Sequence, residues 1–119
     1  MDFFKEDKLS ALESIEYAQW IAFAPMVFQA SRLLRDKGIL ALIQKNRKKG
    51  IDLESICQEL SLPTYAVRVL LESGLGIGLV IRNDDKYSLT KTGHFLLTDA
   101  LTKANMDFTH DVCYQALFH

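Results

Sequence analysis

Three histidines, His94, His110 and His119, are the only imidazoles of this 119-residue chain, and with Cys57 and Cys113 they are the side chains suited to act as a base or to ligate a soft metal. The pair His110-Asp111, close to Cys113, looks like part of a ligand set. One loop of that kind falls short of the three or four convergent ligands that a stable site needs, so no metal is expected. Neither cysteine lies in a CxxC or Cys/His spacing, which leaves no disulfide framework and no zinc site, and points to a reducing compartment, the cytoplasm. His94, in Gly93-His94-Phe95, reads as a helix-surface or half-buried residue. No catalytic set assembles from these groups.

A second pattern invites cofactor chemistry. Glu72-Ser73-Gly74-Leu75-Gly76-Ile77-Gly78 matches the acidic-x-Gly-x-Gly-x-Gly motif that opens the cofactor site of many S-adenosylmethionine-dependent methyltransferases. Such a motif requires a buried parallel strand before it, a helix N-terminus after it and an acidic residue at the end of the next strand. Gly78 is instead followed by a strand-like run and a hairpin, and the 41 residues that remain are too few for a doubly wound sheet. The sequence therefore predicts a glycine-rich helix that ends between residues 74 and 78 and lets a neighbouring helix approach closely, with no cofactor bound there.

The elements that must position these residues follow from periodicity. Leu9, Leu12, Ile15, Ala18 and Gln19 set an apolar stripe on a first helix over residues 10–23, and Pro25 is expected to restart the chain as the first turn of a second helix that Gly38 ends. Ile39, Leu40, Leu42 and Ile43 build a third helix, whose end carries Lys45-Asn46-Arg47-Lys48-Lys49 and Gly50, a solvated cationic terminus. Asp52 caps a fourth helix bearing Leu53, Ile56, Cys57 and Leu60, with Cys57 as a small core residue. Ser61-Leu62-Pro63 turns into a fifth, capped by Thr64 or Ser61 and carrying Val67, Leu70, Leu71 and Leu75. The period then changes to two: residues 79–82 and 86–89 flank Asn83-Asp84-Asp85 as a β-hairpin. Thr90 caps a helix through Phe95, Leu96 and Leu97, and residues 107–118 form a last one. The result is a mainly α fold, a winged helix-turn-helix with extra N-terminal helices and a short hairpin wing. Its parts are an N-terminal helical dimerisation segment (1–24), a winged-helix domain (25–98) and a C-terminal helical connector (99–119).

Composition narrows the partners. Fourteen Lys+Arg against 15 Asp+Glu give a net charge of -1, whereas a duplex-binding domain is usually markedly basic. With 49% hydrophobic and 24% charged residues the chain is an ordinary globular one. Its longest apolar stretch, residues 20–28, is about half of what a bilayer requires, and the N-terminus lacks the marks of a signal peptide. Neither a nucleic acid nor a membrane is expected as partner.

Several segments match one family together: Ser31-Arg32-Leu33-Leu34-Arg35-Asp36-Lys37-Gly38-Ile39, Asp52-Leu53-Glu54-Ser55-Ile56, Glu59-Leu60-Ser61-Leu62 and Tyr65-Ala66-Val67-Arg68-Val69-Leu70-Leu71. They are followed in order by Gly78-Leu79-Val80 and the wing signature Tyr87-Ser88-Leu89-Thr90-Lys91-Thr92-Gly93. Residues 23–97 thereby resemble the N-terminal winged-helix dimerisation domain of small-molecule O-methyltransferases of the plant caffeate and bacterial antibiotic-biosynthesis kind. The resemblance implies an intertwined homodimer that closes one wall of the partner's substrate pocket, and a catalytic domain that binds S-adenosylmethionine further along the chain. That domain, which in plant-type relatives carries the catalytic histidine, does not follow within the 119 residues. The chain is therefore expected to be a fragment of a methyltransferase for a small-molecule acceptor, itself inactive and without cofactor.

Tyr17, Trp20, Phe23 and Phe28, with Met26, form the aromatic cluster expected to touch a subunit or a ligand, the alternatives being core packing, a dimer interface or a wall of the substrate pocket. The apolar residues between positions 9 and 34 surround their helices on nearly every side, which points to a homodimer. A DNA-binding regulator is the rival reading. Its recognition helix would offer Thr64, Tyr65, Arg68 and Glu72, and its wing tip Asn83-Asp84-Asp85 would face phosphates with like charge.

Overall fold

The computed structural model describes residues 5–115. Helix α1, Ala11–Asp36, is one continuous helix of 26 residues, about 39 Å long at the usual rise. A capping box starts it: Ser10 Oγ accepts from the Glu13 amide at 3.1 Å, and Glu13 Oε1 accepts from the Ser10 amide at 3.2 Å. The expected break at Pro25 does not occur, because Pro25 lies inside α1. A proline in a helix interior costs about 3 kcal/mol in an isolated helix. Here it is exposed, so the Ile21 carbonyl that loses its donor can bond to water, while the turns that follow are fixed by packing of the C-terminal half. The chain leaves α1 through Gly38, at φ 87.

Helix α2, Ile39–Lys45, buries Ile39, Leu40, Leu42 and Ile43 and stops at Lys45, so Arg47, Lys48 and Lys49 sit in the exposed turn that follows. A two-residue strand that periodicity misses, β1 (Ile51–Asp52), comes next, and Asp52 also caps α3 (Leu53–Leu60) by accepting from the Ser55 amide at 2.8 Å. Ser61, at φ 53, ends α3, and α4 (Thr64–Ile77) starts from Pro63 with no side-chain cap, so neither Thr64 nor Ser61 plays the expected part.

At its other end α4 stops as expected: Gly78 adopts φ 92 and the Leu79 amide reaches back to the Gly74 carbonyl at 2.8 Å, a Schellman closure. Strands β2 (Val80–Asn83) and β3 (Lys86–Leu89) form the hairpin. Asn83 pairs with Lys86, so the turn is the two residues Asp84-Asp85 and not three, with Asp84 at φ 56. The sheet order is β1-β3-β2, antiparallel throughout, with Ile51 opposite Tyr87.

The wing signature has a structural basis. Tyr87 is buried, and Leu89 packs against the core. Thr90 Oγ1 lies 2.6 Å from the Gly78 carbonyl oxygen and accepts from the Gly93 amide at 3.1 Å, which starts α5 (Lys91–Thr98). Gly93 passes directly against the backbone carbonyl of Leu79, where a β-carbon would collide. The last helix begins earlier than expected: α6 is Ala100–Thr109, capped by Asp99, and passes into a π-helical segment, His110–Gln115. Phe118 lies outside the described residues.

Leu34, Ile39, Leu40, Ile43, Ile56, Val67, Leu71, Leu79 and Val80 are the fully buried core, shared by α1–α4 and the sheet. The fold is mainly α with a winged-helix-like order of helices and hairpin. Cys57 is half-buried against this core.

Candidate functional site

Helix α4 has 14 residues against 26 in α1, so α1 outruns it by about 18 Å. The two pack along the C-terminal half of α1, where Leu34 lies fully buried against the backbone of Gly74. One face of α1 is continuous across both halves: Leu12, Ile15, Gln19, Phe23, Met26, Ala30 and Leu33 recur at steps of three and four, with Trp20 and Val27 beside them. Ala30 and Leu33 are partly buried, whereas Trp20 and Phe23 remain 51% and 53% exposed and Met26 and Leu12 67% and 66%. The same apolar stripe thus has a partner within the described residues at one end and faces solvent at the other.

The two helices line a groove of about 620 Å³. Trp20, Phe23, Met26 and Val27 line one side, and Val69, Ser73, Gly76 and Ile77 the other. None of the lining residues is ionisable. The Ser73 hydroxyl donates to the Val69 carbonyl of its own helix at 2.9 Å, which turns its polarity inward and leaves the Gln19 and Gln29 amides as the long polar side chains of the lining. Such a groove offers an apolar surface and shape, but no proton donor, base or metal ligand.

Three of the five sequence candidates, Trp20, Phe23 and Met26, come together here. Phe28 lies on the opposite side of α1, half-buried, with its ring stacked on Tyr114 at 5.2 Å between centroids and 4° between planes. Tyr17 and Ile21 are exposed and precede Phe28 on that second face at helical steps of four and seven. The α4 half of the groove is missed by sequence reasoning. Val69, Ser73 and Gly76 do share one helix face by spacing, opposite the buried Val67 and Leu71, but only Val69 of the three is apolar, so the face carries no stripe.

The other chemical candidates are scattered. His94 Nδ1 is 3.4 Å from Gln44 Oε1, an inter-helix contact. His110 stacks on Tyr114 in the π-helical segment, and its buried Nδ1 meets no partner among the described residues. His119 lies outside the described residues. Cys113 is exposed, and no group of three His, Cys, Asp or Glu among the described residues is placed to hold a metal. The carboxylates held below their ordinary range are structural: Glu13 by Ser10, Asp52 by Ser55 and Asp99 by Thr102, each a helix cap, and Asp107 chiefly by its hydrogen bond from Arg35.

Gly74 and Gly76 are helical and Gly78 is a helix C-cap, so this cluster presents no strand, loop and helix N-terminus to an adenosyl cofactor. The residues do not fit S-adenosylmethionine. The exposed side of α4 offers Tyr65, Arg68 and Glu72, and the wing tip offers Asp84 and Asp85, a poor match to phosphates. No helix among the described residues is long and apolar enough to cross a membrane.

Residues 16–87 match the family model of the Dimerisation2-like domain. Among solved structures the chain is similar in fold to the S-adenosylmethionine-dependent methyltransferase SibL in its apo form, with a TM-score of 0.67 and 19% identity over 81% of this chain and 28% of SibL. It is also similar to PigF with SAH, with a TM-score of 0.54 and 20% identity over 89% of this chain and 33% of PigF. The chain spans at most about a third of the length of these two structures. No curated protein matches it.

Proposed function

Because the chain belongs to the Dimerisation2-like domain family, we propose that it is the homodimerisation domain of a longer, cytoplasmic S-adenosylmethionine-dependent methyltransferase acting on a small molecule, and that this domain is not itself catalytic. The observation that carries the reading is the apolar face of α1, which packs on α4 at one end and projects past it, exposed at Leu12 and Ile15, at the other. An isolated monomer rarely leaves a contiguous patch of that kind in water. An identical chain removes it economically, since a patch on a twofold axis meets its own copy in an isologous contact.

The methyltransferase part of the proposal is supported by fold likeness to SibL and PigF and by the small fraction of those chains that this one covers. The cofactor would belong to the remainder of the longer chain, because Gly74, Gly76 and Gly78 are committed to a helix and its cap. In the assembled enzyme this domain would close one wall of the partner's acceptor pocket, with transfer to an oxygen as the expected outcome. Reading the coding sequence past His119 tests this part. A downstream unit of strand, glycine-rich loop and helix followed by an acidic residue supports it, and a stop codon directly after residue 119 overturns it.

A further inference from the structure

Helix α2 stops at Lys45, and with the turn beyond it gathers four cations, Lys45, Arg47, Lys48 and Lys49, within five consecutive residues of a chain whose net charge is -1. All four are exposed. Among the described residues none of them pairs with a carboxylate, whereas Arg32, Arg35 and Lys103 each do. The helix end does not account for them. A helix dipole rewards cations within the last turn only, which here means Lys45, and the carbonyls of Leu42, Ile43 and Gln44 already accept from the Asn46 and Arg47 amides at 3.1 to 3.2 Å. The Asn46 carboxamide adds a bond to the Leu42 carbonyl at 2.9 Å. The turn is also fixed in place. The Lys49 and Gly50 amides both donate to the Asn46 carbonyl, at 3.2 and 2.8 Å, and Gly50, at φ 77, lies so close to β3 that a β-carbon on it would stand 2.9 Å from the Lys86 β-carbon.

Lys45, Asn46, Arg47, Lys48 and Lys49 together line a hollow of about 260 Å³ that shares no residue with the α1/α4 groove. Four like charges around one hollow repel each other, and the fold of the free chain gains nothing from gathering them. We propose that this turn is a binding site for a compact polyanion, the diphosphate group of a small molecule. A multiply charged anion seated in the hollow meets cations already gathered on a fixed turn, so little ordering is left to the moment of binding. The hollow is smaller than the roughly 300–1,000 Å³ of pockets that enclose a whole drug-sized ligand, so it takes one group and leaves the rest of the molecule outside. Chemistry favours phosphate over carboxylate: three of the four cations are lysines, point charges that suit a phosphoryl group from any side, and only Arg47 offers the planar fork with which a carboxylate pairs best. Extent favours a small molecule over a duplex or a membrane. The chain outside this turn is net acidic, so an extended polyanion would also be repelled by carboxylates beyond it, whereas a diphosphate needs the turn alone. The site requires no second copy and stands apart from the dimer reading.

Titration of the 119-residue chain with inorganic pyrophosphate at constant ionic strength, followed by amide chemical shifts, tests this. Saturable shifts confined to residues 44–50 are expected, with pyrophosphate bound about tenfold or more tighter than orthophosphate, and several-fold more weakly when salt is raised from about 50 to about 200 mM. Lys48→Gln with Lys49→Gln should weaken binding about tenfold or more, and should leave the melting temperature of the unliganded chain unchanged or raised because repulsion is relieved. Arg68→Gln, at an exposed cation of α4, should leave the constant as it is. Shifts spread over lysines of the whole chain, or a constant that the double substitution does not move, overturn the site. Citrate bound as tightly as pyrophosphate overturns the phosphate class, and phosphatidylserine vesicles or duplex DNA bound more tightly per phosphate overturn the small-molecule source. Lower melting of the double variant without ligand shows that the fold itself needs these cations, which also overturns the proposal.

Discussion

Arg35 and Asp107 join α1 to α6 through an ion pair of 3.1 Å in which the Arg35 side chain is only 8% exposed. Arg35 also bonds Asp36 at 3.0 Å and lies 3.6 Å from the sulfur of Met106, the buried residue of α6. The guanidinium thus serves as the anchor of the C-terminal helix.

Docking of α6 should depend on pH. The Arg35 hydrogen bond, with help from Lys103, holds the Asp107 carboxyl below its ordinary value of 3.8. A carboxylate whose value is lower folded than unfolded contributes its stability in full above the unfolded value and loses it as pH falls through the folded one. The opening free energy of α6, read from amide hydrogen exchange corrected for its intrinsic pH dependence, should therefore be flat near neutrality and fall on acidification below about pH 4. Asp107→Asn should show faster exchange in α6 already at neutral pH and a flatter acid profile. An unchanged profile in the variant would remove Asp107 from this role.

Gly93→Ala should be among the most damaging single substitutions, since its β-carbon meets the Leu79 carbonyl, a backbone atom that cannot turn aside. We expect a loss of about 2–3 kcal/mol in urea unfolding with the slope unchanged. Stability equal to wild type would show that the approach of α5 to β2 relaxes freely.

Much of this was legible because it is local. Asp52 and Thr90 cap helices by chemistry contained within four residues, and Gly38 and Gly78 end helices by adopting positive φ. The two-residue β1 is not legible, because its partner Tyr87 is remote in sequence. Nor is the continuity of α1, since Pro25 is a local breaker overruled by a capping box at one end and packing at the other. Helix α6 buries Met106 and little else, which leaves no stripe to detect. The groove is half legible: the aromatic side chains of α1 announce themselves, while Gly76 is masked by its resemblance to a cofactor motif.

The isolated chain should not bind S-adenosylmethionine. Calorimetric titration should give dilution heats only, as the glycines expected of a cradle are helical. A saturable one-to-one heat at micromolar cofactor would contradict the assignment of the cofactor to another part of a longer chain.

Nor should the chain select a duplex sequence. Its net charge is -1, and Asp84 and Asp85 tip the wing. Selection from random duplex fragments is expected to enrich nothing. An enriched site whose binding weakens in Arg68→Ala would favour a regulator instead.

The most direct measurement is the mass of the chain in solution. Sedimentation at tens of micromolar should give twice the chain mass of 13.5 kDa. Trp20→Ser with Phe23→Ser should return it to the monomer with helix content retained and melting lowered only by what the lost association contributes, because both side chains are half exposed and outside the core. A wild-type monomer across this range, or a dimer that survives both substitutions, would contradict the assignment of the exposed face of α1 as the dimer interface.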